Sequence, residues 1–179
     1  QQMGMESQKP RVHVNVSGTD MCRASFVQQV AAALLANGLE PRQLCLEITE
    51  STLMHRLDSA LAVMAQLREL GVGLSVDDFG TGYSSLAYLS TLPIDSLKID
   101  GSFVRGMSQA PQNVEIVRAV LNLGRSLGKK VIAEGIETME QLATLKGLGV
   151  HVGQGYLLSR PLRADQVPAL LGEPVPAPH

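Results

Sequence analysis

Apolar and polar positions along the chain alternate between short apolar runs, typical of buried strands, and longer stretches with a helical period. The short runs predict six strands, at residues 12–16, 44–50, 74–78, 96–100, 131–134 and 150–154. The helical stretches predict helices around residues 26–35, 57–70, 86–89, 113–127, 138–148 and 164–171. Ser84 or Ser85 is a candidate N-cap of the third of these helices, and Thr138 is expected to cap the fifth. A strand and a helix therefore alternate about six times, which predicts a mostly parallel sheet with helices outside it.

Each predicted strand ends in a polar or charged side chain. The residues in question are Asn15, Glu47, Asp77, Asp78, Lys98, Asp100, Glu134 and Gln154. A charge at the end of a buried strand is unfavourable unless it is paired, binds a metal or lies at the opening of a site. In a (β/α) barrel every strand contributes to a site at the C-terminal face, whereas an open doubly wound sheet concentrates its ligand groups at one switch point. We therefore predict an α/β fold of the TIM-like (β/α) barrel type.

The third strand ends in two adjacent aspartates, Asp77 and Asp78, followed by the loop Phe79-Gly80-Thr81-Gly82. Adjacent residues of a strand point to opposite faces, so these two carboxylates share a site only where the strand is ending. The glycines allow positive φ and a close approach of backbone to a ligand. The pair alone fits a metal or phosphate site and fits a capped turn equally well.

The whole set of strand-end residues narrows the chemistry. Several carboxylates on one face cannot all remain ionised by themselves. Either their pKa values split, so that some are protonated, or cations neutralise them. Oxygen ligands without His or Cys favour Mg²⁺ or Mn²⁺ over Zn²⁺. Lys98 suits an anionic substrate, and the set indicates two-metal hydrolysis of a phosphodiester. A salt bridge or a strand-end cap explains any single member, but explains all of them together far less well.

Composition excludes several other classes of protein. The 179 residues, 45% of them hydrophobic, are enough for one domain with a substantial core. A net charge of −2 without a basic block argues against binding of DNA or RNA, and no apolar run is long enough for membrane insertion. Two cysteines, expected to be reduced, favour a cytoplasmic location. The four histidines have no partner at ligand spacing, and His13 and His151 are expected to line the barrel or its core.

Five motifs in this order resemble the EAL domain, a family of bacterial cyclic di-GMP phosphodiesterases. They are LEITES at 46–51, DDFGTGYSSL at 77–86, LKID at 97–100, AEGIE at 133–137 and QGYLLSRP at 154–161. The resemblance extends from Val12 to about Leu171. Residues 1–10 are expected to be a frayed remnant of a preceding helix, 11–171 a partial EAL-type barrel, and 172–179 a disordered Pro-rich tail.

The resemblance implies a metal-dependent cut of one phosphodiester of cyclic di-GMP, which yields linear pGpG. The roles that it implies are distributed over ten positions. Asn15, Glu47 and Asp77 are similar to ligands of a first metal, and Asp78 is similar to a second-metal residue. Lys98 resembles the lysine near the attacking water, and Glu134 resembles the proposed general base.

The remaining positions are expected to support the site. Glu50 is similar to the anchor of the Gly-rich loop, and Glu137 and Gln154 are similar to substrate-side positions. Asp100 is expected to be a partner of Lys98 or of a metal-bound water.

The chain departs from the family pattern at its start. The Glu-Ala-Leu triplet that names the family, whose Glu binds metal, does not occur upstream of Asn15. Judged against a barrel of about 250 residues, about the last six of eight strands are present. We therefore expect exposed strand edges, weakened metal affinity and little turnover from this chain itself.

Three functions remain open from the sequence. The first is a cyclic di-GMP phosphodiesterase whose parent carries the missing Glu. The second is a receptor that binds cyclic di-GMP without cutting it, and the third is a regulatory domain in which the loop 79–85 transmits rearrangement of a dimer. The resemblance also implies a homodimer and fused sensory or GGDEF-type domains in the parent protein.

Overall fold

The strands and helices are taken from a computed structural model, which describes residues 10–23, 25–82 and 86–171. The strands are β1 (Val12–Asn15), β2 (Leu44–Thr49), β3 (Gly73–Phe79), β4 (Ser96–Ile99), β5 (Lys130–Ala133) and β6 (Val152–Gly153). The helices are α1 (Gly18–Met21), α2 (Phe26–Ala36), α3 (Glu50–His55), α4 (Leu57–Leu70), α5 (Leu86–Thr91), α6 (Gly101–Arg105), α7 (Pro111–Ser126), α8 (Met139–Leu148) and α9 (Val167–Leu171). Short 3₁₀ turns lie at Pro41–Gln43, Gly106–Ser108 and Ala164–Gln166.

The chain divides into two compact units. The first comprises residues 1–77 and 82–96, and the second comprises residues 78–81 and 97–179. The division passes through β3 and β4, so each unit contains part of both strands.

The first unit is built on parallel pairing of its strands. β1 pairs with β2 so that Asn15 lies opposite Glu47, and β2 pairs with β3 so that Thr49 lies opposite Asp77. At the start of β4, the backbone N–H of Asp95 donates to the carbonyl of Leu74 over 2.8 Å. Parallel pairing brings the carboxyl ends of the strands to one edge, which is where the predicted ligand residues lie.

Helix α4 covers the first unit with the apolar face that its sequence period predicts. Its residues Ala60, Val63, Met64 and Leu67 are buried, and α2 packs against it. The helix ends at Gly71, whose φ of 94° lies in the left-handed region that glycine adopts without a steric penalty. The predicted bounds of this helix, 57–70, are confirmed.

The second unit repeats the strand-then-helix order. β5 pairs in parallel with β6, and α7 packs against β5 through a face that includes Val117, Val120 and Leu121. Helix α8 begins at Met139, and Thr138 caps it as predicted, since its side chain accepts a hydrogen bond from the Gln141 N–H over 3.2 Å. The strands follow chain order from β1 to β6, which confirms an α/β fold with six strands.

The structure also shows elements that periodicity did not predict. Helices α1, α3 and α6 contain four to six residues, too few to show a helical period. The strand predicted at 150–154 is shorter than expected, because only Val152 and Gly153 pair. Among the described residues, no helix combines the length and the apolarity needed to cross a membrane.

The outermost strands are exposed. Val12 and Val14 of β1 and Val152 of β6 are exposed, because β1 and β6 each pair with one neighbour. His13 and His151 are both exposed, so neither lies in the core, and the alternative that they line the barrel stays a prediction. The predicted N-terminal remnant, apart from Pro10, the predicted tail 172–179 and the proposed cap at Ser84 or Ser85 lie outside the described residues.

Candidate functional site

The first unit places three of the predicted ligands at the carboxyl ends of neighbouring strands. Asn15 ends β1, Glu47 lies opposite it in β2, and Asp77 lies in β3 opposite Thr49. Glu47 and Asp77 are buried, whereas Asn15 is exposed. Buried carboxylates require a cation or a hydrogen-bond donor, so these positions suit a bound metal ion.

His13 is the partner that the sequence did not predict for Glu47. Its Nδ1 lies 2.7 Å from Oε1 of Glu47, because residues 13 and 15 point to the same face of β1 as Glu47 does in β2. Hydrogen bonds with the Cys45 and Glu47 side chains raise the pKa of His13 to about 9. At neutral pH a protonated imidazole therefore balances the charge of the Glu47 carboxylate.

Within the first unit, Glu50 contacts Gly82, the last residue of the Phe79–Gly82 segment. The Gly82 N–H donates to Oε2 of Glu50 over 3.3 Å, and the Glu50 side chain is buried at the start of α3. A Cβ at position 82 would lie 3.1 Å from the Glu50 carboxyl carbon, so glycine permits this approach. The contact supports the expected anchoring of the loop, which remains a prediction.

The second unit brings Lys98, Glu134 and Gln154 together. The Lys98 ammonium Nζ lies 2.5 Å from Oε1 of Glu134, and the Gln154 side-chain amide donates to the same oxygen over 2.5 Å. Lys98 is buried at the end of β4, where an unpaired ammonium group would be strongly disfavoured. The ion pair therefore keeps both groups charged, and the amide restricts the orientation of the carboxylate.

Asp78 has an unusual backbone conformation. Its φ is 52°, in the left-handed region that residues other than glycine rarely adopt. Because the backbone turns at the end of β3, the Asp78 side chain does not follow the alternation of faces along that strand. A carboxylate oxygen of Asp78 lies within 4.8 Å of one of Glu134, a separation that one cation can bridge. Strain of this kind is concentrated at functional positions.

Asp100 caps helix α6 and lies beside Asp78. Its Oδ1 accepts a hydrogen bond from the Ser102 N–H over 2.7 Å. Burial raises the pKa of the Asp100 carboxyl group, but hydrogen bonds from Ser102 and with Asp78, together with the charge of Arg105, outweigh burial and lower that pKa. Asp100 is therefore anionic, and its side chain shares a hydrogen bond with that of Asp78.

A pocket of about 670 Å³ lies within the second unit. Four of the predicted site residues, Asp78, Asp100, Glu134 and Glu137, contribute carboxylates to its wall, and Gln154 lines it as well. The sequence did not single out Arg105, Tyr156 and Arg160, which line the same pocket. The Arg160 guanidinium stacks over the Tyr156 ring at 5.0 Å from its centroid. The motif QGYLLSRP was the only signal in the sequence for the last two.

Strands of both units thus end in carboxylates, amides and one buried lysine, side chains with which enzymes hold divalent metal ions and anionic substrates. The model of the EAL domain family matches residues 1–161 of this chain. The chain belongs to the EAL domain family, and the resemblance noted from its motifs is confirmed.

Relatives of known name are similar over most of the chain. MucR of Pseudomonas aeruginosa, a bifunctional diguanylate cyclase/cyclic di-GMP phosphodiesterase, is 46% identical over 156 residues, which are 87% of this chain and 23% of MucR. NbdA of the same organism, a cyclic di-GMP phosphodiesterase, is 48% identical over 152 residues, 85% of this chain and 19% of NbdA. The chain therefore spans about a fifth of the length of these relatives.

Solved structures agree with the fold. The MucR phosphodiesterase in complex with c-di-GMP has a TM-score of 0.85 and 46% identity, covering 88% of this chain and 64% of that one. BlrP1 of Klebsiella pneumoniae, in a manganese/cy-diGMP complex, has a TM-score of 0.79 and 34% identity, covering 84% of this chain and 39% of that one. The predicted fold class, an incomplete TIM-like (β/α) barrel with the last six strands, is confirmed.

Proposed function

We propose that the protein containing this chain hydrolyses cyclic di-GMP to linear pGpG in a reaction that depends on Mg²⁺ or Mn²⁺. The observation that carries this proposal is the Lys98–Glu134–Gln154 contact at a pocket bordered by the carboxylates of Asp78 and Asp100. It is supported by the cyclic di-GMP bound to MucR and BlrP1.

The residues present fit divalent cations with a preference for oxygen ligands. Asn15, Glu47 and Asp77 would hold one ion, and Asp78 would hold a second. A carboxylate oxygen of Glu134 lies within 4.8 Å of one of Asp78. When bound, such ions neutralise charge on the phosphate and make a water molecule more acidic. Manganese and calcium complexes of BlrP1 support this assignment.

Glu134 acts in this proposal as the general base. It takes a proton from the water whose oxygen attacks phosphorus, the P–O3′ bond breaks, and the proton held by Glu134 is passed to the leaving 3′ oxygen, which restores the carboxylate. Lys98 lies 2.5 Å from the Glu134 carboxylate, so it stabilises that carboxylate's ionised form and supplies positive charge near the phosphate. Gln154 restricts the orientation of the carboxylate, and Glu137 lies on the wall of the same pocket, where it meets the substrate.

We also infer the setting in which the site works. The chain spans 23% of MucR, so sensory or GGDEF-type domains are expected in the parent protein. We infer a cytoplasmic location, a homodimer controlled through the loop that Glu50 anchors, and cyclic di-GMP rather than DNA or RNA as the ligand. Light scattering with and without cyclic di-GMP measures the molar mass in solution and so tests the dimer. A different molar mass in Glu50→Ala would show that the loop controls dimerisation.

Turnover of cyclic di-GMP in Mg²⁺ or Mn²⁺ tests the proposed reaction. The full chain and an upstream-extended form that includes a Glu-Ala-Leu motif are compared, and we expect turnover from the extended form and little from the chain itself. Glu134→Gln should abolish turnover, whereas the same change at exposed Glu140 on α8 should leave it unaltered. Binding of cyclic di-GMP without turnover in either form would instead make the protein a receptor. Strong turnover by the 179-residue chain would contradict the expected weakness.

A further inference from the structure

Arg105 lies over two glycines on the wall of the pocket. Its Nη1 is 2.7 Å from the place where a Cβ of Gly101 would lie, and 2.8 Å from the corresponding place at Gly135. The Cα of Gly101 is 3.1 Å from the Cβ position of Gly135, so the two backbones approach closely. All three residues line the pocket. The absence of both side chains leaves the space that the guanidinium occupies.

The geometry of α6 explains how the arginine reaches this position. Arg105 follows Gly101 by four residues, so the two lie on the same helix face. Helical side chains lean toward the N-terminus of their helix, which carries the guanidinium back toward Gly101 and Asp100. The charge of Arg105 acts on Asp100, whose pKa it helps to lower. The guanidinium is thus held beside the ends of β4 and β5 rather than free in solvent.

The charges of the pocket require such a cation. Four carboxylates line the pocket, Asp78, Asp100, Glu134 and Glu137, while cyclic di-GMP carries one negative charge on each of its two phosphodiesters. Of the cations nearby, buried Lys98 is paired with Glu134, and Arg160 stacks on Tyr156. Arg105 is exposed and lines the pocket. Its planar fork of donors matches phosphate oxygens.

We propose that Arg105, seated on the Gly101–Gly135 pair, binds the phosphodiester of cyclic di-GMP that is not cut. This inference rests on the proposed function of the pocket. The buried Lys98 lies beside the proposed base and serves the reacting phosphate, whereas the exposed Arg105 serves the part of the ligand nearer to solvent. An interaction with the phosphate that is not cut is present in ground state and transition state alike, so it strengthens binding without raising kcat.

The test measures cyclic di-GMP binding by calorimetry with Ca²⁺ and steady-state kinetics with Mn²⁺, using the upstream-extended form, because little turnover is expected from the chain itself. Arg105→Ala should weaken cyclic di-GMP binding about tenfold or more and raise KM similarly, with kcat little changed, as expected for loss of a charged hydrogen bond. Arg105→Lys should recover part of the affinity, because it keeps the charge but not the fork. Arg118→Ala removes the same charge from α7, where Arg118 pairs with Glu115, and should have no effect.

A second variant fills the space over Gly101 that the Arg105 guanidinium occupies, without removing the charge of the arginine. Gly101→Ala introduces a Cβ that the flexible Arg105 head must vacate, while the nearest backbone atom, the Gly135 Cα, is 3.5 Å away. We expect the affinity to fall as it does in Arg105→Ala. In the double variant Gly101→Ala/Arg105→Ala the affinity should be no lower than in Arg105→Ala alone. Circular dichroism checks that each variant folds, and if Gly101→Ala does not, the Arg105 series alone decides.

The outcomes separate this inference from the proposed function. If the unaltered protein neither binds nor cuts cyclic di-GMP, the proposed function is contradicted, and so is the role of Arg105. If the unaltered protein binds cyclic di-GMP and Arg105→Ala binds it as tightly as Arg118→Ala does, only the role of Arg105 is overturned. A lower kcat in Arg105→Ala at unchanged affinity would also overturn it, because the arginine would then act on the reacting phosphate.

Discussion

The ammonium group of Lys98 and the carboxylate of Glu134 form an ion pair of 2.5 Å whose side chains are only 4% and 14% exposed. A pair so far removed from water is balanced between Coulomb attraction and the cost of desolvating two charges. Two apolar residues of similar volume would stabilise the fold about as well, so the pair fits the chemical role proposed for these two residues better than a role in stability.

Loss of one partner should therefore destabilise the protein strongly. We expect Lys98→Met to lower the free energy of unfolding by about 3–5 kcal/mol, because the Glu134 carboxylate, only 14% exposed, would lose the ammonium group that balances its charge. Urea denaturation measures this. The double variant Lys98→Met/Glu134→Gln, which removes both charges, should recover part of the loss. Lys146→Met on α8, where the lysine is exposed, serves as the control, and an equal effect at both positions would refute the expectation.

The backbone of Asp78 gives a second prediction, in which stability and metal binding separate. At a φ of 52°, Asn is tolerated better than Ala, so Asp78→Ala should be less stable than Asp78→Asn by about 1 kcal/mol. Both variants lose a carboxylate and should bind Mn²⁺ more weakly, as calorimetry can measure. At Asp58 in the first turn of α4, the order should be reversed, because Ala is the better helix former. The same order at both positions would show that the strain at Asp78 has no energetic consequence.

The hydrophobic pattern was sufficient for most of the scaffold. Helix α4 begins and ends at the predicted residues, and Thr138 caps α8 as expected, because period and capping residues are local signals. The polar residues at the ends of the predicted strands also include residues that line the pocket, among them Glu134 and Gln154. Their chemical roles remain predictions.

Features that depend on tertiary structure were not predictable in this way. The pairing of His13 with Glu47 depends on the register of β1 against β2, which a single strand's pattern does not contain. The position of Arg105 depends on the close approach of Gly101 and Gly135, which are 34 positions apart in the chain. Helices as short as α6 carry no period that identifies their inward face.

The contact between Glu50 and Gly82 predicts how the Gly-rich loop is held. Glu50→Ala removes the acceptor of the Gly82 N–H, so the exchange of that amide with solvent deuterium should accelerate about tenfold. Glu50→Gln keeps a carbonyl acceptor and should retain most of the protection. Glu69→Ala, at an exposed position near the end of α4, should leave the exchange unchanged. Equal exchange in Glu50→Ala and the unaltered protein would mean that the loop is held by other contacts.

His13 and Glu47 give a pH dependence in the metal-free protein. The pKa of His13 is raised from 6.5 to about 9, first by the hydrogen bond with Cys45 and then by that with Glu47. A raised pKa means that the native state binds the proton more tightly than the unfolded state does, so the stabilisation is complete below pH 6.5 and is lost as the pH rises through about 9. The side chain is 36% exposed, so solvent screening makes the effect modest.

Two measurements check this dependence in EDTA. An NMR titration of the His13 ring should give a midpoint near 9, and Glu47→Gln should lower it, because the variant removes the anionic acceptor. Urea denaturation at pH 6 and pH 10 should show the unaltered protein losing more stability than His13→Gln, which has no proton to release in that range. If the two proteins lose the same stability, the proton on His13 does not contribute to the native state, and the short contact with Glu47 does not depend on charge.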